Sequence, residues 1–91
     1  MIALRMGPSQ AAENLTKHGV SFEEAATVFR DALSATGSDP DHSFGEERFI
    51  TFGVSTGGRL LVIAHTEGGD TIRIISARPA TPGERKIYEE G

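Results

Sequence analysis

Three runs of strand-forming residues, separated by glycine-containing segments, constrain the fold most. They are ERFITFGVS, RLLVIAHT and TIRIISAR, with Gly57-Gly58 and Gly68-Gly69 between them. Ile, Val, Phe and Thr favour extended strands, and paired glycines are typical of two-residue hairpin turns. The sequence therefore predicts a three-stranded antiparallel meander.

With the glycine pairs as turns, the side chains of these strands sort onto two faces. The first face is almost wholly apolar and is predicted to pack against helices; it carries Ile50, Phe52, Val54, Leu61, Ile63, His65, Ile72, Ile74 and Ser76. The second face is smaller, more polar and predicted to be open to solvent or a ligand; it carries Phe49, Thr51, Gly53, Ser55, Leu60, Val62, Ala64, Thr66, Thr71, Arg73, Ile75 and Ala77.

Helical patterns lie on either side of the meander. GPSQAAENLTKHG predicts a helix that Gly19 ends, and SFEEAATVFRD predicts a second, with Ser21 as N-cap and Glu24 completing a capping box. ALSAT predicts a short strand, and ATPGERKIYEEG predicts a last helix with Thr81 as N-cap. We therefore expect one α+β domain over residues 1–91, in which one or two strands join the meander.

Composition limits the classes of protein that remain. The 91 residues contain no cysteine, and no apolar run approaches the ~18 residues of a membrane span. We therefore expect a soluble, cytoplasmic protein. The net charge of −4 argues against coating nucleic acid by bulk charge. The C-terminal third is nevertheless locally basic, with Arg59, Arg73, Arg78, Arg85 and Lys86.

Four blocks of the sequence together resemble the BrnT family of bacterial toxins. They are NLTKHGVSFEEAATVF, DPDHSFGEERFITFGVS, RLLVIAHTE and IRIISARPAT..ER..YEEG, in this order from about residue 11 to the C-terminus. The resemblance implies a RelE-like fold and a ribonuclease activity that halts translation. It also implies neutralisation by a BrnA antitoxin, a ribbon-helix-helix DNA-binding protein, in a complex that represses its own operon.

The family pattern falls on defined positions of this chain. They are Lys17, His18, Gly19, Glu46, Glu47, Arg48, His65, Thr66, Glu67, Arg73, Ser76, Ala77, Arg78, Glu84, Arg85 and Tyr88. The start, MIALRMGPSQ, departs from the aromatic strand that usually opens the family, so we expect the first strand to be missing, shortened or built differently. Pro79 replaces the usual lysine, and TPGERK carries fewer arginines than usual.

Metal-independent RNA cleavage needs a base for the 2′-OH, an acid for the leaving 5′-oxygen and a cation for the phosphorane. The predicted catalytic residues are Arg73, Arg78, His65 and Glu67. Each has a structural alternative. Arg73 can lie across apolar neighbours, Arg78 can pair with Glu84, His65 can be a satisfied buried histidine, and Glu67 can serve hairpin solubility.

Lys17, His18 and Arg85 are predicted to bind RNA phosphates. Cations at the end of a helix also complement its dipole, which is a sufficient structural reason for the first two. Tyr88 is expected to pack rather than to stack on a base. The segment DPDHSFGEE misses the spacing of an EF-hand, so it predicts a solvated turn; no metal or other cofactor is expected.

Two functions of different class remain. The first is a metal-independent endoribonuclease toxin that a BrnA-type antitoxin neutralises and that reaches DNA only through the antitoxin complex. The second is a weakly active homologue that mainly binds the antitoxin as a co-repressor. His65, Glu67, Arg73 and Arg78 favour the first; the acidic net charge and Pro79 favour the second.

Overall fold

The computed structural model describes residues 3–5, 7–39 and 47–90. Its elements are β1 (Ala3–Arg5), α1 (Pro8–His18), α2 (Phe22–Thr27) with a 3₁₀ turn (Val28–Arg30), β2 (Ala35–Ser38), β3 (Arg48–Val54), β4 (Leu60–Gly68), β5 (Thr71–Pro79) and α3 (Pro82–Glu90). Most of the acidic turn, including Asp41, His42 and Glu46, lies outside the described residues.

The strands form one five-stranded sheet in the order β1-β5-β4-β3-β2. Strands β2 to β5 are antiparallel to their neighbours, whereas β1 pairs with β5 in parallel. The predicted α+β fold is confirmed, with two strands added to the meander. The first strand is present, and among the described residues Ala3–Arg5 pair with β5.

Local capping explains where the helices begin and end. Gly19 ends α1 with a φ of 68°, a left-handed conformation that glycine adopts without strain. Ser21 accepts a hydrogen bond from the Glu24 amide at the start of α2. Before α3, Thr81 and Glu84 accept hydrogen bonds from each other's amides, which completes a capping box. None of the helices in the described ranges is long and apolar enough to cross a membrane.

The first hairpin turn is longer than predicted. Ser55 and Arg59 close it, so three residues, Thr56, Gly57 and Gly58, form the turn instead of two glycines. The pairing of β3 with β4 therefore moves by one residue, and such a shift turns every side chain of a strand to the other face. Thr51 and Gly53 consequently face the core; the core positions predicted for Ile50, Phe52 and Val54 are wrong.

The second hairpin contains a bulge, a feature that the pattern of strand residues does not predict. Its turn is Gly69-Asp70, so the predicted turn Gly68-Gly69 is wrong. The register shifts between Ala64 and His65, which leaves Ile75 as the extra residue of β5. Beyond the bulge Ala77 enters the core, so the predicted faces of Ser76 and Ala77 are wrong.

Buried Asn14 of α1 holds this part of β5. Its side-chain amide donates to the carbonyl oxygens of Val20 and Ala77, at 2.9 and 2.8 Å, and its oxygen accepts from the Ala77 amide at 3.0 Å. Among the described residues, β1 pairs with Thr71–Arg73 of β5, and the Asn14 side chain satisfies the backbone groups of Ala77 beyond that pairing.

The core lies between the sheet and the first two helices. It contains Val20, Phe22, Ala25, Val28, Leu61, Ile63, Ile74 and Ala77. We call the side of the sheet turned away from α1 and α2 the distal face. Helix α3 lies over part of the distal face, where it approaches Phe52, so the expectation that all helices cover one face is wrong.

Gly53 marks the closest approach of β3 to the helical layer. A Cβ atom there would lie 2.7 Å from Val28 Cγ1 and 3.0 Å from Ser34 Cβ. We expect Gly53→Ala to lower the free energy of unfolding by about 1–3 kcal/mol, because overpacked cores must shift. Urea denaturation measures the change. Gly37→Ala in β2 is the matched control, since no atom lies within 4 Å of its added Cβ. Equal stability of the two variants would contradict the close approach.

Candidate functional site

His65 lies in the interior of the protein, with none of its surface exposed. Its Nε2 is 2.7 Å from the Thr51 hydroxyl, which in turn lies 2.7 Å from the Thr36 hydroxyl. Phe29 packs edge-on against the imidazole ring, and Phe49 stacks on it. Burial lowers the pKa of His65 to about 4, so the ring is neutral at pH 7. Because none of its surface is exposed, the ring cannot contact a molecule bound at the protein surface in this conformation.

Glu67 lies next to Nδ1 of His65, the ring nitrogen that has no hydrogen-bond partner in the described part of the chain. Its Oε1 lies 3.7 Å from His65 Nδ1, too far for a hydrogen bond, and its side chain is 43% exposed. Because the imidazole is neutral at pH 7, this approach is not an ion pair at that pH. Among the described residues, His65 Nδ1 is the buried side-chain nitrogen or oxygen that lacks a hydrogen-bond partner.

The predicted catalytic residues divide between the two faces of the sheet. Arg73 and Arg78 are the partners of Thr66 and Val62 in β4, so both lie on the distal face. His65 and Glu67 alternate with these β4 residues and lie on the other side. Four β4 positions separate the two arginines, roughly 13 Å along the strand. The structure therefore forms no single cluster of four.

A row of cationic positions crosses the distal face. Arg48 of β3 pairs with Thr66 of β4, which pairs with Arg73 of β5. The backbone of Arg5 in β1 pairs with that of Arg73, so arginine positions occupy three of four adjacent strands. Neighbouring strands are ~4.8 Å apart, which places Arg48 and Arg73 about 10 Å from each other. Arginines at backbone positions this far apart can bind the phosphates of one nucleic-acid strand.

Arg48 was not among the predicted site residues. The predicted two-residue turn would place it opposite Glu67 rather than Thr66. Only the three-residue turn brings Arg48 into the row with Arg73. Assigning Thr56 to the turn would have placed Arg48 on the same face as Arg73. The missing information was therefore the register of the hairpin and not a sequence motif.

Arg78 pairs with Glu84 of α3 through two parallel hydrogen bonds. Its two terminal nitrogens donate to the two carboxylate oxygens at 2.7 and 2.9 Å. This pairing, together with the hydrogen bond from the Thr81 amide, lowers the pKa of Glu84 to about 2. The guanidinium of Arg78 is thus directed at α3, which agrees with the structural alternative of a pair with Glu84. The predicted catalytic role of Arg78 stays a prediction.

Neutralising Glu84 is expected to loosen α3. Its pKa lies well below its value of 4.5 in an unfolded chain, so its stabilisation is complete above that pH and is lost as the pH falls towards 2. We expect Glu84→Gln to lower the free energy of unfolding at pH 7 by about 1–2 kcal/mol, a figure that allows for solvent around the pair. Urea denaturation from pH 2 to pH 7 should show the difference vanish near pH 2. Exposed Glu89→Gln is the control; the same loss there would contradict a specific role for Glu84.

The predicted phosphate-binding residues lie apart from this row. Lys17 and His18 end α1, and the carbonyl oxygen of the next residue, Gly19, accepts a hydrogen bond from Arg59 at 3.1 Å. Arg59 precedes β4 whereas Glu67 lies near its other end, roughly 25 Å away along the strand. Arg85 is exposed on α3.

A sheet covered by two helices on one face, with arginines across the other, defines a small α+β protein with a candidate phosphate-binding surface. A family model described as "Ribonuclease toxin, BrnT, of type II toxin-antitoxin system" matches residues 7–84. The chain belongs to this BrnT family. Membership of a type II toxin–antitoxin family implies an antitoxin partner.

The fold agrees with this family. The 1.1 Å crystal structure of the Brucella abortus ribonuclease toxin BrnT matches with a TM-score of 0.65 and 17% sequence identity, over 89% of this chain and 99% of that one. At this identity the likeness shows the fold. A search of curated proteins finds no match to the sequence.

Proposed function

We propose that this chain is an endoribonuclease toxin that binds RNA across the distal face. The row formed by Arg48, Thr66 and Arg73 is the observation that carries the proposal. Arginine forks match phosphate oxygens, and a cation fixed beside a phosphorane stabilises the charge that develops on it. The family description as a ribonuclease toxin supports the same activity. A local row of this kind is compatible with an acidic chain.

In the proposed reaction the 2′-oxygen attacks phosphorus, and the 5′-oxygen leaves and takes a proton from solvent water, with no metal ion required. Arg73 stabilises the phosphorane. Glu67 accepts the 2′-OH proton, because its carboxylate is partly exposed at the end of β4. The side chains of Glu67 and Arg73 project from opposite faces of the sheet. The two residues are nevertheless only one position apart in the pairing of β4 with β5. An RNA strand that crosses the end of this hairpin can contact both.

In this proposal His65 does not take the direct catalytic role that the sequence predicts for it. Its neutral ring lies behind Glu67, with Nδ1 turned towards the carboxylate. In this proposal it lies inside the protein, behind the base, and does not touch RNA. Lys17, His18 and Arg85 extend the RNA contacts only if the RNA continues beyond the hairpin.

The proposed biological setting is the cytoplasm, with a BrnA-type ribbon-helix-helix antitoxin as the partner in a hetero-oligomer. Translation stops when the toxin is free to cleave RNA. The toxin reaches DNA only through the antitoxin complex. Membership of a type II toxin–antitoxin family supports this arrangement.

Induced expression without antitoxin tests the proposal. Growth arrest together with decay of cellular RNA is the expected result, and the purified chain should cleave RNA in the presence of a metal chelator. A folded, abundant chain that neither arrests growth nor cleaves RNA would overturn the nuclease.

The second candidate is an antitoxin-binding co-repressor with little nuclease activity. The pairing of Arg78 with Glu84 and the burial of His65 favour it, because the first engages the Arg78 guanidinium and the second removes the His65 ring from solvent. Operator binding by the complex, combined with no RNA cleavage by the free chain, would establish this function instead.

A further inference from the structure

A groove separates α3 from the edge of the sheet at β2 and β3. We call it the α3 groove; its volume is about 570 Å³, and it is lined by Leu33, Ala35, Phe52, Glu84, Ile87, Tyr88 and Glu89. Leu33 and Ile87 are 78% and 72% exposed, more than any other large apolar side chain in the described ranges. Exposed apolar side chains gathered in a concave surface mark an interaction site.

The groove is held open by polar contacts at both ends of α3. Arg78 holds Glu84 near the start of the helix, and the Tyr88 hydroxyl donates to Asp31 at 3.1 Å near its end. None of the α3 residues is buried. Its apolar residues therefore face a preformed cleft rather than the core.

The charge around the groove indicates which kind of segment binds there. Arg78 balances the charge of Glu84, but Glu89 lines the groove, Glu90 follows in the same turn, and the whole chain carries a net charge of −4. Acidic residues beside an apolar floor attract a segment with apolar and basic side chains. They disfavour RNA, which is anionic, and a second copy of this acidic chain.

We propose that the α3 groove binds an amphipathic, positively charged segment of the antitoxin. Apolar side chains of this segment pack between Leu33 and Ile87, and its Lys or Arg residues face Glu89. The inference rests on the proposed function, because it takes the antitoxin as the partner.

The location of the groove also indicates how binding neutralises the toxin. Glu84 lines the groove and holds Arg78, a distal-face residue. A segment seated in the groove therefore lies on the same face as the row proposed for RNA, roughly 13 Å from Arg73 along the strand. Antitoxin and RNA compete for this region of the protein.

The test measures the affinity of the purified chain for the antitoxin encoded in the same operon, by calorimetry and without RNA. We expect Leu33→Asp and Ile87→Asp to weaken binding at least about 30-fold, as for central interface residues. Glu89→Lys should weaken it by about 10-fold, with less effect at high salt. Leu15→Asp and Glu13→Lys on α1 are the matched controls, since Leu15 is 53% exposed outside the groove.

Several outcomes would overturn the proposal. They are unchanged binding of both aspartate variants, equal loss in the α1 controls, failure of the wild-type chain to bind the antitoxin, or a wild-type dimer that Leu33→Asp dissociates. Circular dichroism confirms folding, and Leu33→Ser and Ile87→Ser replace any variant that does not fold. Leu33→Asp should cleave RNA as the wild type does, so failure of the nuclease is seen separately from failure of the groove.

Discussion

Replacing Arg73 by alanine is expected to lower the rate of RNA cleavage by about 100-fold or more, the loss that follows removal of one group that stabilises transition-state charge. Arg73 is exposed on β5, and its backbone pairing with Thr66 does not depend on the side chain, so the fold should persist. Cleavage of a labelled RNA by the purified chain, at one salt concentration, measures the loss.

Two further variants separate charge from geometry at this position. Arg73→Lys keeps the charge but removes the planar fork, so we expect a smaller loss of about 10-fold. Arg48→Ala removes the other side-chain cation of the row and should also weaken cleavage, mainly by raising KM if it binds a neighbouring phosphate.

Arg30→Ala is the matched control for Arg73→Ala. Arg30 is also an exposed arginine, but it ends the 3₁₀ turn on the helical side of the sheet. Its replacement should leave cleavage within about twofold, since surface substitutions away from a site have small effects. If Arg73→Ala cleaves like the wild type, or if both variants lose activity equally, the distal face is not the RNA surface.

Local signals allowed the elements to be predicted, because each depends on neighbouring residues. Ser21 and Thr81 as N-caps and Gly19 as a left-handed cap all have their predicted places. The same local patterns gave the meander. The two interior turns were predicted wrongly, because Thr56 joins Gly57-Gly58 in the first and Gly69-Asp70 forms the second.

Contacts distant in sequence decide the register, and the sequence could not show them. Glu24 accepts hydrogen bonds from Ser55 and Arg59 at both ends of the first turn, and Thr27 accepts one from Thr56. Asn14 holds Ala77 beyond the bulge, 63 positions away in the chain. These contacts tie the helices to the hairpins and so fix which residues face the core.

The candidate site was predictable to the same extent. The opposite faces of Arg73 and His65 were predicted and are observed, because β4 and β5 keep the expected alternation near their turn. Arg48 could not be assigned, since its face depends on the turn between β3 and β4. The bulge at Ile75 likewise decided that Arg78 shares the distal face with Arg73.

Burial of His65 is expected to make the protein less stable as the pH is lowered from about 6.5 to 4. The pKa of His65 falls from 6.5 to about 4 on folding because the ring is desolvated. Between these values the unfolded chain binds the proton and the folded chain does not, so the free energy of unfolding falls with pH. The titration of His65 lowers the free energy of unfolding by about 3 kcal/mol in full, and this loss is constant below pH 4.

His65→Gln removes this titration and isolates the contribution from that of the carboxylates. At pH 7.5 the variant should be less stable than the wild type, because the packing against Phe29 and Phe49 is lost. The difference should shrink by about 3 kcal/mol as the pH falls to 4. Urea denaturation at half-unit steps measures it. Thr51→Val is the control, since it removes the hydroxyl that contacts Nε2 but leaves the ring buried.

The same titration decides whether His65 can serve as a catalytic acid. A ring with a pKa of about 4 carries almost no proton at pH 7, so it cannot protonate a leaving 5′-oxygen at a useful rate. Its Hε1 resonance should therefore not titrate above about pH 5.5. A midpoint near 6.5, with a stability difference from His65→Gln that does not change with pH, would show instead that the ring reaches solvent. His65 would then return to the RNA site as a direct participant rather than the residue behind Glu67.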